Sequence, residues 1–164
     1  MVPLDEHASA SNVPLPRWTL PEGADFDLLR ALDCVHGAVR RRIEQALCSA
    51  DLPPLAWVDL ILVLRAAGPN GLRPAELEHR LSLPQYALSR LVAKIADAGL
   101  IERQPLAHDH RSFRVLLTEL GEQMCHRLWP IYRSSLLSAI GLRLNAREAE
   151  TLLGLLDRLA TPTE

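Results

Sequence analysis

Apolar residues recur every three or four positions over most of the chain, and turn residues break the repeat into a series of helices. From Asp25 to about Ala50, Phe26, Leu29, Leu32, Val39, Ile43 and Leu47 fall near helical spacing, which predicts one helix of roughly seven turns at 3.6 residues per turn. A helix that long is more than a small domain buries alone. After Pro53 and Pro54, Trp57, Leu60, Ile61 and Leu64 stand at i, i+3, i+4 and i+7, and Gly68-Pro69 closes this second helix. Pro74 suits the first turn of a short helix through Leu77 to Leu81, and Ser82-Leu83-Pro84 reads as a tight turn. The next helix runs from Gln85 to Ala98, with Leu88, Leu91, Val92 and Ile95 on one face and Gly99 at the C′ position.

The period then shortens. Leu100 to Arg103 and Ser112 to Leu117 read as strands, the second alternating Phe113, Val115 and Leu117, with an eight-residue loop from Gln104 to Arg111 between them. Thr118 can cap a further helix carrying Leu120, Met124, Leu128 and Ile131, in which Pro130 is expected to make a kink. Asn145 and Glu148 have capping-box spacing and start a last helix through Leu152, Leu153, Leu156 and Leu159. Residues 1–23, with Pro3, Pro14, Pro16 and Pro21, read as an extended tail. The pattern predicts a mainly α fold with one small β-hairpin.

Composition narrows the function classes. The chain has 164 residues, 48% apolar and 23% charged, which suits one domain or a subunit completed by a partner. Apolar runs such as Leu60 to Leu64 are far below the ~20 residues of a spanning helix. Asp5 and Glu6 near the N-terminus do not suit a secretory signal, so a cytoplasmic protein is expected. Cys34, Cys48 and Cys125 are an odd number without close pairing, which argues against disulfides or a zinc knuckle and for small buried residues. No phosphate loop, nucleophile elbow or acid-base constellation is present, so neither an enzyme nor a cofactor is expected.

The charge is −2 overall, yet unevenly placed. From Arg73 to Arg114 there are seven basic and five acidic side chains, a local +2 on a chain whose remainder carries −4. Within that segment Tyr86, Arg90 and Lys94 follow at i, i+4 spacing opposite the Leu88, Leu91, Val92 and Ile95 stripe, with Ser89 beside them and Gln85 in the first turn. These types suit a helix in a DNA major groove, where Arg forks onto guanine, Gln onto adenine, and Ser or Tyr meets phosphate. A solvated helix face reads the same way in isolation. Arg103, His108, His110 and Arg111 gather charge at the hairpin, where an arginine can enter a narrow minor groove.

The stretch Leu72 to Leu117 also carries Glu76-Leu77, Leu88-Ser89-Arg90-Leu91-Val92, Ala98-Gly99-Leu100-Ile101-Glu102-Arg103 and Pro105-x-x-x-Asp109-x-Arg111, followed by Leu117-Thr118-Glu119-x-Gly121. With these motifs the sequence resembles the MarR-type winged helix-turn-helix regulators over about residues 25–160. The resemblance implies a homodimer on a pseudo-palindromic operator, a repressor released by a small molecule or an oxidant. It implies a domain over 24–164, with dimerisation helices at 25–50 and 118–160 around a DNA-binding lobe at 54–117. Pro84, Gln85, Tyr86, Ser89, Arg90 and Lys94 would lie on the recognition helix, and His110 and Arg111 in the wing, with Asp109 orienting the tip arginine. His110 departs from the arginine of many relatives and lacks its fixed charge near neutral pH.

Candidates for sensing are His36, Arg40, Trp57 and Trp129, which would line a pocket for a small aromatic or phenolic effector where the first two helices, the fifth and the DNA-binding lobe meet. Each also suits an ordinary core, interface or solvated position. Cys34 is the candidate for a thiol switch, although nearby Asp33 disfavours thiolate. His108, Asp109 and His110 fall short of a metal cluster. A further alternative is a winged protein-interaction module that no longer binds DNA, suggested by the modest +2 and by His110.

Overall fold

A computed structural model describes residues 23–106 and 109–161, with the side chains of 109–112 outside the description. The predicted tail up to residue 22 and His108 of the hairpin lie outside it. The elements are α1 (Ala24–Ser49), α2 (Leu55–Ala67), α3 (Pro74–Leu81), α4 (Gln85–Asp97), β1 (Ile101–Leu106), β2 (Asp109–Leu117), α5 (Glu119–Leu136), a π-helical turn (Leu137–Gly141) and α6 (Ala146–Ala160). The chain divides into two units between Cys34 and Val35. In the first, Arg30 stands 6.0 Å over the Phe26 ring, and Leu28 and Leu29 are exposed.

The second unit holds one core, built from Ile43 and Leu47 of α1, the apolar stripes of α2, α3 and α4, the base of the hairpin, and Cys125 and Leu128 of α5. Leu47, Leu60, Ile61, Leu77, Ile95 and Leu128 have no exposed surface. Pro54 gives α2 no side-chain cap, and the Glu44 carboxylate of α1 fills that place by accepting the Leu55 N–H at 2.8 Å. Pro74 sits at the start of α3, as its missing N–H allows. Ser82, at φ +51°, turns the chain between α3 and α4. Gly99, at φ +74°, ends α4 and leads into β1.

Thr118 joins α4 to α5. Its hydroxyl donates to the Gly99 carbonyl at 2.6 Å and accepts the Gly121 N–H at 3.1 Å, capping α5. Gly121 has no room for a side chain, because a Cβ there would overlap the Leu100 carbonyl oxygen. The Thr118-Glu119-x-Gly121 motif is thus a joint between the end of one helix and the start of another.

The hairpin is longer than the sequence pattern suggests. Its strands extend to Leu106 and back to Asp109, so six of the eight expected loop residues lie in strands and four of them are paired. Antiparallel pairing supplies backbone partners that single-strand periodicity does not reveal. The register runs from Ile101↔Leu117 to Pro105↔Phe113, then shifts at a bulge to Leu106↔Asp109. Leu72 bridges to Val115, adding the α2–α3 loop to the outer side of β2.

A further expectation changes. Cys34 and Cys48 are exposed, contrary to the reading of all three cysteines as small buried residues, and only Cys125 is buried. The fifth helix is continuous through Pro130 and passes at Leu137 into the π turn. Arg42 reaches that turn, donating to the Ser138 carbonyl at 3.1 Å. The last helix starts at the predicted box, with Asn145 and Glu148 exchanging backbone and side-chain bonds at 2.8 and 3.0 Å. None of its residues is buried.

Candidate nucleic-acid interface

Helix α4 has two unlike sides. Leu88, Val92 and Ile95 are buried in the core, which fixes the rotation of the helix, while Pro84, Gln85, Tyr86, Ser89, Arg90 and Lys94 are all exposed. Tyr86 is 71% exposed, so the aromatic ring stands in solvent at the first turn of the helix. Short α3, closed by Ser82-Leu83-Pro84, packs against α4 and completes a helix-turn-helix.

The hairpin that follows is a wing. On it the Arg103 guanidinium lies 5.4 Å over the Phe113 ring, a cation–π contact. Asp109, His110 and Arg111 stand on β2, whose backbone is described, and their side chains lie outside the described atoms. Arg114 turns back toward the body of the chain, donating to the carbonyls of Asn70 and Gly71 at 3.1 Å each.

The candidate sensing residues do not share one site. Trp129 lines a cavity of about 600 Å³ between α2 and α5, together with Arg65, Cys125 and His126. Arg40 lines a separate cavity of about 420 Å³ with Asp59, Arg80 and Tyr132. There Arg40 pairs with Asp59 at 3.1 Å. His36 is exposed on α1, and Trp57 is half-buried against the core from α2. Cys34 is exposed on α1.

Arg65 escaped the reading of the sequence. It pairs with Glu122 across α2 and α5, a relation between residues far apart in the chain, and a lone arginine near a helix end gives little sign of it. Burial pushes the Cys125 thiol above its ordinary pKa, and the neighbouring Arg65 partly offsets this. Tyr132 is likewise raised, by burial and then by Asp59, with Arg40 acting in the opposite direction. Its ring stacks on Trp129 with centroids 6.3 Å apart.

A helix-turn-helix followed directly by a two-stranded wing is the architecture of a winged helix, and residues 50–112 match the MarR family model. A mutant MarR from E. coli complexed with operator DNA superposes with a TM-score of 0.73 at 25% identity, covering 82% of this chain and 94% of that one. Residues 50–112 are thus a MarR-type segment. Other family structures agree in fold. Sco3205 from Streptomyces coelicolor, a MarR family transcriptional regulator in complex with DNA, has a TM-score of 0.77 at 22% identity and covers 90% of this chain and 91% of its own. CouR from Rhodococcus jostii, bound to p-coumaroyl-CoA, has a TM-score of 0.71 at 19% identity, with 88% and 99% covered. Among the described residues, no helix is long and apolar enough to cross a membrane.

Proposed function

We propose that this chain is a cytoplasmic, homodimeric, sequence-specific transcriptional repressor that binds a pseudo-palindromic operator and is released by a small aromatic effector. The observation that carries the reading is the division of α4, whose apolar side is locked in the core while Gln85, Tyr86, Ser89, Arg90 and Lys94 are presented to solvent. Side chains of these types on one face can meet base edges and phosphates together. Pro84 leads into this face, and His110 and Arg111 would contact the flanking duplex, with Asp109 orienting the arginine. The DNA complexes of Sco3205 and MarR support this use of the shared fold.

Dimerisation is supported by α6. Leu152, Leu155 and Leu159 recur along one side of it, are 43%, 49% and 60% exposed, and have no full cover among the described residues. A two-fold pair would bury them and hold two recognition helices one DNA turn apart, ~34 Å. In this reading 25–50 and 118–160 serve dimerisation and 54–117 reads DNA.

The α2–α5 cavity supports the effector. Trp129 and Pro130 offer apolar surface to a ring, and Arg65 and His126 offer cationic or protonatable partners to an acidic substituent. The p-coumaroyl-CoA complex of CouR supports a phenolic class. Exposure of Cys34 supports a second reading, in which peroxide oxidises that thiol to sulfenic acid and thereby releases DNA. Release from wild type and not from Cys34→Ser would select it.

The deciding experiment is a titration of upstream DNA against a scrambled duplex at fixed salt. Nanomolar binding of the first by two chains per site, falling steeply with salt, is expected. Equal binding of both duplexes would overturn the repressor reading, and a protein-interaction role would replace it.

A further inference from the structure

We propose that Arg114 fixes the reach of the wing, as a positioning residue for DNA recognition that acts through the α2–α3 loop. The base of the hairpin is held firmly. Leu72 and Val115 exchange N–H···O bonds at 3.0 and 2.8 Å, and Thr118 ties its other end to Gly99. Gly71, at φ +58°, lets the loop lie directly on β2.

Outward from Val115 the support thins. Arg114, opposite Gln104 in the register, sends one guanidinium nitrogen to two carbonyls, those of Asn70 and Gly71. Past it come only Pro105↔Phe113 and, beyond the bulge, Leu106↔Asp109. Among the described residues, the bonds of Arg114 are the outermost that tie the hairpin to the body of the chain. A cavity of about 510 Å³ opens beside them, lined by Pro69, Asn70, Gln104, Pro105, Leu106 and Arg114. The cavity separates the loop from the outer hairpin here, and the packing that the outer hairpin has comes from Phe113 against the core. Two charge-assisted hydrogen bonds cross the gap and act as a strut.

The direction of the wing decides where a tip arginine lands, and a minor groove admits an arginine only over a narrow range of positions. The inference rests on the reading that the wing contacts duplex beside the half-site. Under it Arg114 touches no DNA. Its charge is directed at the α2–α3 loop, and its effect on affinity passes through Arg111.

The test compares wild type, Arg114→Ala, Arg111→Ala and the double variant on two operators, one trimmed to the half-sites and one extended by about ten base pairs on each side, one further turn of duplex. Arg114→Ala is expected to weaken binding to the long duplex roughly tenfold, the scale of one charge-assisted hydrogen bond, and to leave the trimmed one nearly unchanged. The double variant should bind no more weakly than Arg111→Ala alone, because a positioning residue has nothing left to position. Arg114→Lys, which can still donate to both carbonyls, should restore most of the loss without a change in melting temperature. Additive losses, or equal losses on both duplexes, would overturn the role of Arg114. Insensitivity of Arg111→Ala to the flanks would instead overturn the wing reading itself, and the strut with it.

Discussion

Gly71 and Val115 meet backbone to backbone, so closely that a methyl group on Gly71 would overlap the Val115 carbonyl oxygen and approach Leu116 Cγ to 2.7 Å. Position 71 also has φ +58°, which an L side chain adopts at a cost. Gly71→Ala should therefore destabilise the fold by roughly 2–3 kcal/mol, from strain and overlap together. Urea unfolding monitored by Trp fluorescence measures this. An unchanged midpoint would mean that the loop moves freely off β2.

Arg90 and Lys94 share one exposed face of α4 but are expected to act differently. Arg90→Ala should cost about 1–3 kcal/mol on the operator and relax base preference at one position, as loss of a bidentate base contact does. Lys94→Ala should weaken all sequences alike and reduce the salt slope by about one. Anisotropy titrations at three salt concentrations on operator and scrambled DNA separate the two outcomes.

Charge on the free side of α6 should dissociate the dimer. Leu155→Glu places a carboxylate in the proposed two-fold contact, and sedimentation should show a shift toward one chain per particle at micromolar concentration. The helix itself should persist, because the Asn145–Glu148 cap is local. Loss of operator binding with unchanged circular dichroism is the expected pair of results.

Cys125 and Cys48 should differ in reactivity. Alkylation at pH 8 followed by mass spectrometry should label exposed Cys48 first and spare Cys125 until the protein unfolds. The same burial sets a pH trend. The Cys125 pKa is raised in the fold, so the folded state holds its proton where the unfolded state has begun to lose it. Its contribution is thus fully present below the unfolded value, about 8.5, and declines as pH rises above that value. Cys125→Ala should flatten this alkaline decline in a series of melting curves.

Local signals were the legible ones. Helix starts at Pro74 and Asn145, the Gly99 stop and the two sides of α4 follow from neighbours within a turn, and each stands where the periodicity places it. The outer hairpin was read too short because its pairing depends on the opposite strand, and Pro105 interrupts the period. The π turn leaves no mark in apolar spacing. Pocket residues were the hardest to place. Arg40 and Trp129 line different cavities because a helix of known face still has unknown neighbours, and Arg65 finds Glu122 only when α2 and α5 are packed. For Asp109, His110 and Arg111 the structure supplies a strand position, and the resemblance supplies the role.

Among the described residues, β1 of the wing has no strand on its outer side. An open edge of that kind is a template on which other chains add strands and aggregate. Pro105 removes an N–H donor from β1, the bulge of residues 110–112 on β2 breaks the regular pairing opposite it, and exposed Glu102 and Arg103 place charge along β1. A protein that extends a thin hairpin into solvent thus carries on that hairpin its own protection against self-association by strand pairing. Replacing Pro105 to straighten the wing would remove part of that protection.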